Sequence, residues 1–148
     1  MARYTELRPY YAKPHAERAA MVQHEMVATL EPANAHLIEL SAAGVERIQL
    51  VFGPRSEELL EIAAEASAGL LRLLHALDTS RVVDDEQMRD LRHDLRGPVG
   101  TLRGAVIMLT RRIASPDHPI AQRAQAVLVA AEDLRDIVEA LTEDVERE

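Results

Sequence analysis

His93 opens the run His93-Asp94-Leu95-Arg96-Gly97-Pro98-Val99-Gly100, which puts an imidazole, a carboxylate and a guanidinium within one helical turn. A neutral imidazole is a nucleophile, and histidine is the side chain that ordinarily changes charge near cellular pH. Arginine presents a planar fork of donors that matches phosphate oxygens. Pro98 stands where a helix interior normally excludes proline, at about 3 kcal/mol per residue. A reactive histidine, held on a helix and surrounded by cationic groups, fits phosphoryl transfer best.

A long amphipathic helix must present these groups. Leu91, Leu95, Val99, Leu102, Val106, Leu109 and Ile113 recur three and four residues apart, which predicts one buried stripe. At roughly 100° per residue, His93 points nearly opposite that stripe. Arg89, Arg96 and Arg103 fall within about a quarter turn of His93, Arg92 adds charge at the edge, and Gly100 leaves open space among them. His15, His24, His36, His75 and His118 have no such surroundings and read as solvated surface residues.

Elsewhere the pattern is helical too. Residues 1–14, with Pro9, Tyr10, Tyr11 and Pro14, read as an extended arm. A short helix over about 15–30 would bury Ala19, Val22, Met26 and Leu30, with Pro32 as its stop. Ile38, Val45, Ile48 and Phe52 predict a second helix over 33–52, with a strand at Ile48–Phe52 as the lesser alternative. Gly53-Pro54 ends it. Residues 56–77 carry Leu59, Ala63, Ala66, Leu70, Leu73 and Leu77, and Ser56, Glu58 and Glu61 suit a helix start. Asp78-Thr79-Ser80 supplies a break and the next N-cap. The His93 helix then spans about 81–113, Ala114-Ser115-Pro116-Asp117 turns the chain, and a last helix over 118–146 carries Ile120, Ala124, Val127, Ala131, Leu134, Val138, Leu141 and Val145.

The fold class is therefore all-α: a helical hairpin that completes a four-helix bundle, with additional N-terminal helices. Two long helices joined by a short turn run antiparallel and cannot cover each other's seams. The second hairpin comes either from another copy, as a homodimer, or from the helices at 33–52 and 56–77; the homodimer is expected. The organisation expected is an arm (1–14), an N-terminal helical region (15–79) and the histidine hairpin (80–148).

Composition narrows the function. The 148 residues carry a net charge of −8 and only 3% aromatics, which argues against a general nucleic-acid binder. There is no cysteine, so disulfides and thiolate zinc sites are unavailable. Metal-binding spacings are absent as well: His24-Glu25 has Ala28 where a second histidine would be needed. No continuous apolar run reaches the length of a membrane helix and the polar N-terminus is no signal peptide, so a cytoplasmic protein is expected. Neither an Asp-x-Gly-x-Gly nucleotide motif nor a glycine-rich phosphate loop occurs, so autophosphorylation from ATP is not expected.

His93-Asp94-Leu95-Arg96 with Pro98 resembles the H-box of the dimerisation and histidine-phosphotransfer domain of sensor histidine kinases, whose pattern is His-acid-x-x-(Thr or Asn)-Pro. His93-Asp94 with Pro98-Val99-Gly100 is similar to the kinase-derived bacterial histidine phosphotransferases that lack an ATP-binding domain. His93, Arg96 and Gly97 also satisfy the His-x-x-(Lys or Arg)-Gly pattern of the monomeric Hpt module, the second choice. Gly97 departs from the kinase pattern, where Thr or Asn is associated with positioning water for dephosphorylation. Glycine has no group to do so.

The resemblance implies a phosphocarrier of a two-component phosphorelay, moving a phosphoryl group between His93 and an aspartate of a response-regulator receiver domain. Asp94 would hydrogen-bond or exchange a proton with the ring. Arg89, Arg92, Arg96 and Arg103, with Gly97, Pro98 and Gly100, would meet phosphate and partner. No cofactor of its own is implied, and Mg²⁺ would come with the receiver. Partners would be that receiver, a histidine kinase, or both, with no nucleic acid and no membrane. The alternative is a non-catalytic helical dimerisation module that binds or sequesters a kinase or regulator.

Overall fold

The computed structural model describes residues 15–147, with side chains described from 15 to 141. Five α-helices follow in order: α1 (His15–Ala42), α2 (Val45–Phe52), α3 (Ser56–Ala76), α4 (Asp85–Thr110) and α5 (Pro119–Arg147). A 3₁₀ turn, Thr79–Arg81, lies between α3 and α4, and no strand occurs among the described residues. Residues 1–14, expected as an arm, lie outside the described residues.

Helices α1, α3, α4 and α5 form an up-down-up-down bundle. Each packs on two neighbours, in the ring α1–α3–α4–α5–α1, and the diagonal pairs barely touch. One apolar cluster fills the centre: Met26, Leu30 and Leu37 from α1, Leu70 and Leu74 from α3, Leu95 and Leu102 from α4, and Val127, Leu134 and Leu141 from α5. The seams of α4 and α5 are thus covered by α1 and α3 of the same chain. Completion of the core by homodimerisation is corrected to completion within one chain.

The homodimer expectation rests on the resemblance of the His93 run to dimeric families, and Pro32 is expected to end the first helix. Instead α1 runs through Pro32 without ending. Pro32 and Ala28 are both exposed, so the Ala28 carbonyl that loses its N–H partner faces water rather than the core. The break comes later, at Ala43-Gly44, where Gly44 takes φ +94°, a conformation that side chains disfavour. The expected helix over 33–52 is therefore the end of α1 plus the separate α2. Ile48, Val51 and Phe52 of α2 cap the core at that end.

Helix α4 starts on local chemistry. The Asp84 carboxylate accepts the Gln87 backbone N–H at 2.8 Å, and the Gln87 side chain accepts the Val83 N–H at 2.8 Å. This reciprocal cap satisfies donors that a helix start leaves open, and Asp85 and Glu86 in the first turn suit its positive end. The entry to α4 is also tied to α1 through His15 Nε2 and Asp85 Oδ1, 2.7 Å apart. The far ends of the ring are pinned by Arg18, a buried guanidinium that donates to the carbonyls of Ala140 and Leu141 at 3.2 and 3.1 Å.

Candidate functional site

The core stripe of α4 fixes where everything else on it points. Leu91, Leu95, Val99, Leu102, Val106 and Leu109 are all buried. His93, about half a turn away, is exposed on the outer face. Neither its ring nitrogens nor the Asp94 carboxylate makes a side-chain hydrogen bond among the described residues, so the ring nitrogens are unengaged there. Asp94 is exposed one residue on and flanks the ring rather than bonding to it.

Pro98 is half-buried in the middle of α4 and does not end it. It has no N–H to give the carbonyl of Asp94, four residues back. The helical ladder is therefore interrupted immediately beside His93.

Beyond His93 the outer face of α4 is nearly bare. Gly97, Gly100 and Gly104 follow it at helical spacing, and a Cβ built on any of them would meet nothing within 4 Å. The fold does not require these glycines. In a helix interior each costs about 0.8–1.0 kcal/mol relative to alanine. Only Gly97 and Gly100 were singled out from the sequence; Gly104 extends the same line.

The arginines divide. Arg89 is exposed and makes no ion pair among the described residues. Arg96 turns toward α5, where its Nε donates to Glu139 Oε1 at 2.7 Å and its terminal nitrogen to the other carboxylate oxygen. Arg103 does the same a step higher, donating to Glu132 Oε2 at 3.0 Å, and Arg135 joins that carboxylate at 3.4 Å. Arg92 is half-buried and close enough to Glu139 to bias its ionisation. The structure thus brings His93, Arg96 and the glycines to one side of α4, with Arg96 and Arg103 drawn onto the edge that faces α5.

Glu132 and Glu139 were missed from the sequence. The signal was available: Arg96 and Arg103 are seven residues apart, as are Glu132 and Glu139, on two helices that must run antiparallel. Opposite charges at heptad spacing beside a seam mark interhelical pairs.

Its bond from Arg96, reinforced by Arg92 and Arg135, holds the Glu139 carboxyl below its ordinary value despite slight burial. A depressed folded-state pKa means that the pair stabilises the fold above the unfolded carboxylate value of about 4.3 and loses this as pH falls through the folded value. With both side chains nearly half exposed, at 47% and 45%, solvent limits the contribution to about 1 kcal/mol or less. Nitrogen NMR of the Arg96 Nε–H is expected to stay unchanged from neutral pH into the ordinary carboxylate range and to move only below it. A midpoint at or above the ordinary carboxylate value would contradict the pairing.

Among the described residues no cluster of histidines and carboxylates could hold a metal ion, and no helix is long and apolar enough to cross a membrane.

No family model matches the chain, and no solved structure matches it. Among curated proteins, the chain is similar to the sensory histidine kinase/phosphatase NtrB of Proteus hauseri, 31% identical over 90 residues. The match takes in 60% of this chain and spans a quarter of that protein's length. The likeness points to a helical domain related to those of histidine kinases, and so to two-component signalling.

Proposed function

We propose that the chain is a histidine phosphotransfer protein of a two-component phosphorelay, with His93 as the phosphoryl carrier. A single observation carries the reading: an exposed histidine with unengaged ring nitrogens heads a line of three glycines that the fold itself does not need. Bare backbone beside the ring lets a partner's surface approach closely. A large side chain at Gly97 or Gly100 would hold that partner off.

In the step proposed, a ring nitrogen of His93 attacks the phosphorus of an aspartyl phosphate on a receiver domain. The P–O bond to the aspartate breaks as the P–N bond forms, the carboxylate leaves with the electron pair, and the ring keeps its proton on the other nitrogen. The reverse step returns the group. The transition state is loose, so positioning and charge supply most of the acceleration. Arg96, three residues from His93, is within reach of the transferred group, as i,i+3 neighbours on a helix are. Arg103 stands about 15 Å along the axis from His93, too far for the phosphoryl oxygens, and with Arg89 it would meet the partner's acidic surface. Asp94 flanks the ring and would hydrogen-bond to the N–H that the ring keeps. Mg²⁺ would be held by the receiver.

The test is incubation with phosphorylated receiver domains and detection of acid-labile phosphate on the chain. The same bare face would also suit a module that binds a regulator or kinase without chemistry. Complex formation with no labelling by any receiver would favour that second reading.

The glycines separate fold from function. Gly97→Ala and Gly100→Ala are each expected to raise stability by about 0.5–1 kcal/mol, since alanine is the better helix former and the space is open. Each is also expected to slow transfer by roughly ten- to a hundredfold, because a small displacement of reacting groups is enough to do so. Urea unfolding and receiver transfer rates check the two halves. A stabilised variant with undiminished transfer would count against close approach at this face.

A further inference from the structure

A groove of about 520 Å³ opens between α1 and α3, lined by Asn34, Ala68, Leu71, Arg72, His75 and Ala76. Helix α4, which carries His93, contributes nothing to it. Leu71 and the two alanines make the groove mostly apolar. No carboxylate lines it, although acidic residues outnumber Lys and Arg by 25 to 17 in the chain. The core fixes how the Asn34 amide is turned. Its Oδ1 accepts the hydroxyl of Ser67 at 2.8 Å, and Ser67 is fully buried, with no water as an alternative partner. The NH₂ is left as the unengaged end of the amide. Arg72 and His75 stand one turn apart on α3 and make no hydrogen bond or ion pair among the described residues. A histidine ring offers an N–H in either protonation state.

Cations near a helix C-terminus often answer its dipole. The last carbonyls of α3 are met from α1 instead: Gln23 Nε2 donates to Leu74 and Leu77 at 2.6 and 3.1 Å. A dipole role would also call for neither a hollow nor an amide beside the cations. We infer that this groove is a binding site for a small organic anion. Arg72, His75 and the Asn34 amide would hold its carboxylate or phosphate, and its apolar body would lie on Leu71, Ala68 and Ala76. The guanidinium fork matches either anion. The volume falls within the roughly 300–1,000 Å³ of small-molecule sites. The groove is open to solvent, so binding is expected to be weak, with Kd of roughly 0.1–1 mM. The site stands independently of the role given to His93.

Benzoate and phenyl phosphate are the probes, with benzamide as the uncharged match. Nitrogen NMR of the full chain is expected to show saturable shifts of the Asn34 side-chain amide and the Arg72 Nε–H with at least one of the anions. The tighter of the two identifies the head group. Benzamide is expected to shift neither. Arg72→Gln is expected to weaken binding about five- to tenfold. Arg89→Gln, which removes another exposed arginine, on α4, is expected to leave it unchanged. Because the donors come from two helices, the bound anion would also tie α1 to α3. At ten times Kd it is expected to raise the folding equilibrium about elevenfold, read as a higher urea midpoint that Arg72→Gln largely loses.

Absence of a saturable shift up to about 10 mM, ten times the weakest Kd expected, would overturn the proposal. So would binding of benzamide as tight as that of the anions, or undiminished binding by Arg72→Gln. An equal loss in Arg89→Gln would reduce the effect to a general attraction between anions and arginines, and would overturn it as well.

Discussion

His93→Gln is expected to take no phosphate from any phosphorylated receiver domain, while helix content and unfolding midpoint stay those of the parent. The loss is total because only a ring nitrogen can form the P–N bond. The fold is indifferent because the side chain faces solvent and makes no hydrogen bond among the described residues, and surface changes of that kind fall within about 0.5 kcal/mol. Glutamine keeps the polarity and roughly the reach of the ring. His24→Gln and His75→Gln, also exposed, serve as controls and should label normally. Undiminished labelling of the His93 variant would move the phosphate site elsewhere.

The second large effect lies in the core. Leu134 is fully buried at the centre of α5, the helix that closes the ring against both α1 and α4. Leu134→Ala is expected to lose about 2–5 kcal/mol, measured as a lowered urea midpoint with little change in slope. Leu134→Asp goes further, because an unpaired carboxylate would enter a dry interior. Against the 5–15 kcal/mol typical of a whole domain, that is enough to unfold the chain outright. Circular dichroism at neutral pH should show the Asp variant with most of its helix gone. A native-like spectrum would mean that α5 is not part of the core.

The elements with strict heptad spacing were the most legible. Every stripe residue named on α4 is buried except Ile113, which falls beyond the end of that helix and is half-buried. On α5, Ile120, Ala124, Val127, Ala131, Leu134, Val138 and Leu141 are all buried, while the Val145 side chain lies outside the described ones. Helix α3 was read slightly out of phase. Its buried line is Leu60, Ala63, Ser67, Leu70 and Leu74, and Leu59, Ala66, Leu73 and Leu77 sit at its margin. The polar member hid it: Ser67 is buried only because its hydroxyl donates to Asn34 Oδ1 at 2.8 Å, a partner on another helix. Ile38 was placed in the core because its segment was phased from a restart after Pro32, yet it is 60% exposed. Leu37 and Leu40 take the core positions instead, in phase with Met26 and Leu30 across the proline.

The site divided along a similar line. Which face His93 occupies follows from one helix and could be read from spacing alone. What the arginines do depends on a second helix, since Arg96 and Arg103 are defined by Glu139 and Glu132. Single-helix geometry placed the guanidinium groups near the ring but could not show that carboxylates from α5 already held two of them.

The ring of helices also sets an order in time. The pairs α3–α4 and α4–α5 join neighbours in the chain, so their contacts close short loops and form early. The pair α1–α5 joins the two ends: Arg18 reaches backbone made 122 and 123 residues later. On the ribosome, α1 therefore emerges with Met26, Leu30 and Leu37 uncovered and waits for α5 before its second side is sealed. Among the ring's contacts this one closes the longest loop, so it is expected to form last, with that side of α1 open to a chaperone until it does.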